Sequence, residues 1–190
     1  MEVKDNGGIR ILQTETIARD NWLGFLSRRF QSRDGAEHQW SYVERNASRS
    51  AVVVIAHTQT SNSLVLIRQF RIPLAAWTYE FPAGLVDEGE SLEQAALREL
   101  GEETGYQGTV LSVSPALPTS AGLSSEYIHL VRVQCLDIPG EHAREAAEAI
   151  EMVLIDNQPA AIRDFLDQAA REAIAIDAKL YTYLLGRLDN

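Results

Sequence analysis

The chain has 190 residues, of which 45% are hydrophobic and 23% charged, and its formal net charge is −10 at pH 7. This length supports one hydrophobic core with a small addition. The acidic balance argues against nucleic acid as a partner, because a phosphate backbone requires a basic footprint.

The sequence also argues against a membrane or secreted protein. No apolar run approaches the roughly 20 residues that a membrane-spanning helix requires, and the first residues, MEVKDNGG, contain no apolar segment typical of a secretory signal. Cys135 is the single cysteine, so no internal disulfide is expected. We therefore expect a cytoplasmic protein without a membrane partner.

The N-terminal part has the pattern of a small antiparallel sheet. Strand-like stretches run over residues 9–13 and 22–26, and residues 38–45 alternate with period two. Residues 32–35 form a turn signal between them. The sequence predicts an N-terminal β extension over residues 1–46 and a second domain over residues 47–190.

Strands and helices alternate in the second domain. A buried strand is predicted over residues 51–56, with a hairpin partner at 64–67. Three more strands follow, then two helices, so the class is α/β (α+β) with a mixed sheet. The strands are predicted at 109–113, 126–133 and 150–155, and the helices at 159–170 and 177–187.

One further helix, which precedes those strands, carries a cluster of carboxylates. Ser91 and Gln94 can form a capping box at its start, and Gly105 supplies a left-handed stop. Glu99, Glu102 and Glu103 are spaced i, i+3, i+4 and project from one face. Such a cluster is typical either of a solvated acidic face or of a site for Mg²⁺ or Mn²⁺, which prefer oxygen ligands. Gly101 lies on the far side of the helix, where we expect it to make room for close packing.

The spacing of seven residues around this helix matches a known signature. The sequence resembles the Nudix hydrolases, and the residues in register are Gly84, Glu90, Arg98, Glu99, Glu102, Glu103 and Gly105. The runs LIRQFR and EFPAGLVDEGE are similar to the branch that contains ADP-ribose and nucleoside diphosphate sugar pyrophosphatases. The resemblance implies a Nudix fold, with a mixed β-sheet sandwiched between α-helices.

The resemblance also implies an activity: metal-dependent hydrolysis of the pyrophosphate bond of ADP-ribose or a related nucleoside diphosphate sugar. Two alternatives stay open. One is a Nudix hydrolase of GDP-mannose, of another nucleoside diphosphate derivative or of a nucleoside triphosphate. The other is a non-catalytic module that senses nucleotide sugars.

The family likeness assigns metal ligands and catalytic groups. It implies that the metal, Mg²⁺ or Mn²⁺, is bound by the carbonyl of Ala83 and by Glu99, Glu103 and Glu148. Arg98 would orient the carboxylates. The resemblance also implies three candidate catalytic residues: Glu145 as the base, Glu148 and Glu102. Glu141 and Glu151 are alternatives for the first two, and a short solvated helix is the structural alternative for this acidic stretch.

The likeness further implies a substrate pocket and a homodimer built with the N-terminal sheet. The implied substrate-binding residues are Trp40, Arg71, Leu85, Ser120, Gly122 and Glu126. Arg71 and its neighbour Arg68 could instead form surface ion pairs. Trp40, like Trp22 and Phe30, could stack on a base or belong to a core or a dimer interface.

Overall fold

The computed structural model describes residues 6–46, 50–140 and 149–188. The chain forms two compact units, one within Met1–Ser50 and Ala116–Ile128 and the other within Ala51–Pro115 and His129–Asn190. The residues 116–128 were not predicted to group with the N-terminal sheet. The division into domains at residues 46 and 47 stays a prediction.

The described residues contain twelve strands and three α-helices. In chain order they are β1 Arg10–Arg19, β2 Leu23–Gln31, β3 Glu37–Arg45, β4 Ala51–Thr58, β5 Ser63–Arg71, β6 Ala76–Glu80, β7 Ala83–Leu85, α1 Leu92–Thr104, β8 Gly108–Val113, β9 Leu117–Pro118, β10 Tyr127–Cys135, β11 Ile150–Asp156, α2 Pro159–Arg171, β12 Ala175–Ile176 and α3 Ala178–Leu188. No helix among these is long and apolar enough to cross a membrane.

The first unit contains the predicted antiparallel sheet, in the order β1-β2-β3. The turn between β2 and β3 closes with a hydrogen bond from the Gly35 N–H to the Ser32 carbonyl, and Gly35 adopts a φ of 86°. Strand β1 is longer than predicted and shifts register twice against β2. The segment after Pro115 pairs with β3, because the Val43 N–H donates to Leu123 and the Val43 carbonyl accepts from Ser125.

The larger sheet has nine strands among the described residues and runs β12-β6-β5-β4-β10-β8, with β11, β7 and β9 pairing to β5, β4 and β10. It is mixed, because β12 pairs parallel with β6 whereas β11 pairs antiparallel with β5. The predicted fold class is therefore confirmed. Strands β6, β7, β9 and β12 were not predicted from the sequence.

Helices cover both faces of this sheet. Val52 and Val54 of β4 pack with Leu100 of α1 in a fully buried cluster. His57, on the alternate face of the same strand, contacts the ring of Tyr183 in α3. Because successive residues of a strand point to opposite faces, α1 and α3 lie on opposite sides of the sheet.

Helix α1 begins and ends as its sequence predicts. The Ser91 hydroxyl accepts from the Gln94 N–H at 3.2 Å, and the Gln94 side chain accepts from the Ser91 N–H at 2.9 Å. At the other end Gly105 adopts a φ of 76° and its N–H donates to the Gly101 carbonyl. Both ends of α1 are therefore fixed, which sets the height of its carboxylates relative to β7.

Candidate active site

Arg98 organises the acidic face of α1. Its Nε and Nη2 donate to the two carboxylate oxygens of Glu90, each at 3.0 Å. Its Nη1 donates to Glu99 at 2.8 Å and to Glu102 at 3.0 Å, and Nη2 also donates to the Leu85 carbonyl at 2.9 Å. One guanidinium thus fixes three carboxylates and the end of β7, as predicted for Arg98.

The charges of this network shift the pKa values of its members. The hydrogen bonds from Arg98 hold the pKa of Glu90 below its ordinary value. The bonds to Glu90, followed by those to Glu99 and Glu102, raise the pKa of Arg98. Both groups therefore stay ionised at neutral pH, and the orientation of the carboxylates does not depend on a titrating partner.

Glu99 lies directly against the backbone of Gly84. A Cβ atom added at Gly84 would lie 1.8 Å from Glu99 Oε1 and 2.4 Å from Oε2. Only glycine leaves this space free, which gives a physical reason for glycine at the start of the sequence signature. The Glu99 side chain is 13% exposed and is held in this position by Arg98.

Glu103 lies one turn further along α1 and is only 7% exposed. Its carboxylate accepts the backbone N–H of Ala83 at 3.1 Å. Ala83 itself is fixed by pairing with Val53 of β4. Two carboxylates one helical turn apart, the half-buried Glu99 and the buried Glu103, therefore face the backbone of β7.

This donor set fits a hard divalent cation. It offers carboxylate and carbonyl oxygens, which Mg²⁺ and Mn²⁺ prefer, and buried carboxylates gain from a neutralising cation. In residues 6–46, 50–140 and 149–188, no three His, Cys, Asp or Glu side chains form a metal-binding group by themselves. The predicted set thus requires the Ala83 carbonyl, together with Glu148, which lies outside the described residues.

The arginines at the end of β5 are both in ion pairs. Arg71 donates to both oxygens of Glu80, at 2.7 and 2.8 Å, and the Glu80 residue is buried. Arg68 donates to Glu151 at 2.5 Å and lies over the ring of Trp77. The bidentate pair fixes the direction of Arg71. Its role toward a substrate stays a prediction.

In the first unit, the predicted pocket residues belong to one assembly of β3 and the segment after Pro115. The Trp40 indole N–H donates to the Gly122 carbonyl at 2.9 Å. Ser120 closes the adjoining turn, since its carbonyl accepts the N–H groups of Leu123 and Ser124. Trp40 is 53% exposed, so it is not a core residue of the single chain.

Glu126 belongs to the same assembly. Its Oε1 accepts two hydrogen bonds from Arg45, at 3.0 and 2.9 Å, and its Oε2 accepts from Thr119 at 3.2 Å. Arg45 was not singled out from the sequence. Its role could not be predicted from the local sequence, because its partner Glu126 lies 81 residues further along the chain.

The remaining predicted site residues lie in the acidic stretch before β11, on α1 and at the end of β7. Glu145, Glu148 and the alternative Glu141 lie outside the described residues. Glu102 is half exposed and is bound to Arg98 through one oxygen. The Leu85 carbonyl accepts from Arg98, and its half-buried side chain ends strand β7.

The expectation for Gly101 is wrong. A Cβ atom at this position would meet only the carbonyl oxygen of Tyr106, at 3.9 Å, which is an ordinary contact. Close packing therefore does not require glycine here, in contrast to Gly84.

Comparison with known proteins identifies the family of this chain. A model of the NUDIX domain matches residues 47–169. The chain is 32% identical over 192 residues to a Mus musculus protein named ADP-sugar pyrophosphatase, covering 93% of this chain and 86% of that protein. It is 27% identical over 179 residues to a Saccharomyces cerevisiae protein named ADP-ribose pyrophosphatase, covering 88% and 77%. A crystal structure of an ADP compounds hydrolase superposes with a TM-score of 0.67 at 26% identity, covering 84% of this chain and 83% of that one. The predicted resemblance is confirmed, and the chain belongs to the Nudix hydrolase family.

Proposed function

We propose that this enzyme hydrolyses the pyrophosphate bond of ADP-ribose or a related nucleoside diphosphate sugar, releasing a nucleoside monophosphate and a sugar phosphate. The observation that carries the proposal is a pair of carboxylates against β7: Glu103 is buried and accepts the Ala83 N–H, and Glu99 lies against Gly84 and is held by Arg98. The mouse and yeast relatives are named for activity on ADP-sugars and ADP-ribose, which supports the same substrate class.

The proposed cofactor is Mg²⁺, with Mn²⁺ as a substitute, held by the Ala83 carbonyl, Glu99, Glu103 and Glu148. When bound, a divalent cation polarises phosphoryl oxygens and makes water more acidic. The protein's own contribution is positional: Gly84 admits the Glu99 carboxylate, and Arg98 keeps it from rotating away. This preorganisation removes part of the cost of assembling the reacting groups.

In the proposed reaction, a water oxygen forms a bond to one phosphorus and the bond from that phosphorus to the bridging oxygen breaks. Glu145 accepts the proton of the water, with Glu148 and Glu102 as further candidate catalytic groups. The proposal assigns substrate contacts to Trp40, Arg71, Leu85, Ser120, Gly122 and Glu126. The guanidinium of Arg71 suits a phosphate, because it is planar and always charged.

We further propose a cytoplasmic homodimer in which residues 1–46 form the dimerisation element. Apolar side chains of the N-terminal sheet support this, since Ile11, Ile17, Trp22 and Phe25 are each more than 40% exposed in the single chain. The single cysteine, Cys135, is buried, which suits a reducing compartment. Light scattering coupled to size-exclusion chromatography would test the dimer, and a monomer at micromolar concentration would contradict it.

The test of the activity compares Glu103→Gln with Glu93→Gln. Both remove one charge from α1, but Glu93 is exposed in the first turn, away from the carboxylate pair. We expect Glu103→Gln to lower Mg²⁺-dependent turnover of ADP-ribose by at least about a hundredfold, with Glu93→Gln near the wild type. Equal activity of the two variants would overturn the assignment.

The substrate is tested separately on the wild-type enzyme. ADP-ribose, GDP-mannose and a nucleoside triphosphate are compared by kcat/KM, and the products are identified by chromatography. AMP with ribose 5-phosphate as the main product pair supports the proposal. Preference for GDP-mannose or the triphosphate would agree with a Nudix hydrolase activity but contradict ADP-ribose as the substrate. No turnover of any of the three compounds would favour the non-catalytic sensing module.

A further inference from the structure

A cavity lies in the larger unit, on the side of the sheet away from α1. Its volume is about 280 Å³, and its lining includes His57 of β4, Arg132 and Gln134 of β10, and Arg187 of α3. Val131 and Val133, the alternate residues of β10, belong to the core cluster packed against α1. None of the described residues of α1 lines the cavity, and Arg187 belongs to α3 on the opposite face of the sheet, so the carboxylates of α1 do not share this space.

This cavity is electropositive although the chain carries a net charge of −10. None of the described residues that line it is acidic. Within the described part of the chain, neither Arg132 nor Arg187 forms an ion pair with a carboxylate. His57 responds to both charges: burial lowers its pKa most, and Arg187 and Arg132 lower it further, whereas contact with the Asn62 backbone acts in the opposite direction.

A chain of hydrogen bonds links Arg187 and His57, two residues that line the cavity, through Tyr183. Arg187 Nη2 donates to the Tyr183 hydroxyl oxygen at 2.8 Å, and this hydroxyl lies 2.8 Å from His57 Nε2. Because the phenol oxygen accepts from the guanidinium, its hydrogen is free to be donated to Nε2. The neutral imidazole then carries its own hydrogen on Nδ1.

Among the residues that the structure describes, two buried polar atoms of the lining side chains have no hydrogen bond of normal geometry. They are His57 Nδ1 and Asn157 Oδ1. Leaving a buried polar group without a partner destabilises a protein, so such groups usually have one. The Asn157 amide can turn its NH₂ group into the cavity, which would add a further donor beside Nδ1.

We infer that this cavity is a binding site for a small phosphate-bearing anion, either inorganic phosphate or a phosphate monoester. Arginine pairs match phosphate oxygens in geometry and charge. The volume lies just below the roughly 300–1,000 Å³ of sites for drug-sized ligands, which restricts the ligand to a small one. The inference does not depend on the proposed activity, because it uses none of the residues of α1 or β7.

The test is calorimetric titration of the metal-free protein, at low ionic strength, with inorganic phosphate and separately with ribose 5-phosphate. Four proteins are compared: the wild type, Arg132→Gln, Arg187→Gln and the control Arg171→Gln. Arg171 is exposed at the end of α2 and lies outside the cavity. We expect Kd to rise about tenfold in each cavity variant and to change less than about twofold in the control.

Arg132→Gln guards the test against a folding defect, because Arg132 is exposed whereas Arg187 supports Tyr183. Circular dichroism is used to compare the unfolding of all four proteins. Stronger binding of one of the two ligands identifies the source of the phosphate group, and both results support the site. Binding that is absent at millimolar ligand, or equally strong in Arg132→Gln and Arg171→Gln, overturns it.

Amide chemical shifts in ¹⁵N-labelled wild-type protein locate the ligand independently. Shifts at residues 55–62, 132–134 and 187 are expected on addition of inorganic phosphate. Shifts confined to residues 83–103 would place the anion at the candidate active site and overturn the inference.

Discussion

Replacing Gly84 with alanine tests whether activity depends on the position of the Glu99 carboxylate, because the substitution moves this carboxylate without removing it. The new methyl carbon would lie 1.8 Å from Glu99 Oε1, whereas ordinary contacts begin at 3.4 Å. The carboxylate must therefore move by about 1.6 Å, away from its bond with Arg98. A displacement of about 1 Å costs on the order of a hundredfold in rate in other enzymes. We expect kcat for Mg²⁺-dependent hydrolysis of ADP-ribose to fall by at least about that factor.

Gly101→Ala is the matched control for this substitution. It makes the same chemical change within the same sequence signature, but its methyl group meets only the Tyr106 carbonyl at 3.9 Å. Turnover of Gly101→Ala should remain within about twofold of the wild type. Circular dichroism of both variants would show that any loss in Gly84→Ala is not caused by unfolding.

A double-mutant cycle with Glu99→Ala tests the cause. Without the Glu99 carboxylate, the methyl group at Gly84 loses the contact that makes it harmful. Gly84→Ala should therefore add little to the loss already caused by Glu99→Ala. Wild-type turnover in Gly84→Ala, or losses that add fully in the double variant, would show that displacement of the Glu99 carboxylate is not the cause of the loss.

Four further predictions concern α1 and its hydrogen bonds. Ser91→Ala removes the capping acceptor for Gln94 and should lower the free energy of unfolding in urea by about 1 kcal/mol; an unchanged value would contradict the capping box. Gly101→Ala should raise the same free energy by about 0.5–1 kcal/mol, and a loss of stability would mean that the helix needs glycine there. The pKa of Glu90 is lowered by Arg98 in the folded state, so its contribution to stability is present above the ordinary value of 4.5 and is lost as the pH falls through the folded value. Urea unfolding of Glu90→Gln should accordingly depend less on pH in this acidic range than unfolding of the wild type, and parallel curves would be the contrary result. Arg98→Lys keeps the charge but cannot bind three carboxylates in fixed directions, so kcat should fall at least about tenfold; full activity would show that charge alone suffices.

Much of the fold could be predicted because its strongest signals are local. The run of valines in β4 and the cap residues Ser91 and Gly105 fix their elements through short-range preferences. Strands β6, β7 and β12 have five, three and two residues. Such short strands have no periodicity to detect, and they form because neighbouring strands pair with them.

The candidate site likewise combines local features, which the sequence predicts, with long-range contacts, which it does not. The spacing of Glu99, Glu102 and Glu103 follows from helical geometry, and Arg98 as their partner is close in sequence. The contact of Gly84 with Glu99 and the pairing of Arg45 with Glu126 join residues 15 and 81 positions apart. Contacts of this range depend on how strands and loops pack, which no local pattern in one sequence specifies. The role of Arg71 could be predicted only in part. A charged residue at the end of a strand indicates either an ion pair or a ligand contact, and the sequence does not distinguish the two.

An anomalous difference map from a crystal of the enzyme soaked in Mn²⁺ would locate the metal centre. We expect a peak within coordination distance of the Ala83 carbonyl oxygen and of the carboxylates of Glu99 and Glu103. The same soak of Glu103→Gln should lose or weaken that peak. An occupied Mn²⁺ position elsewhere, with no peak between β7 and α1, would contradict the central claim that these oxygens form the metal centre.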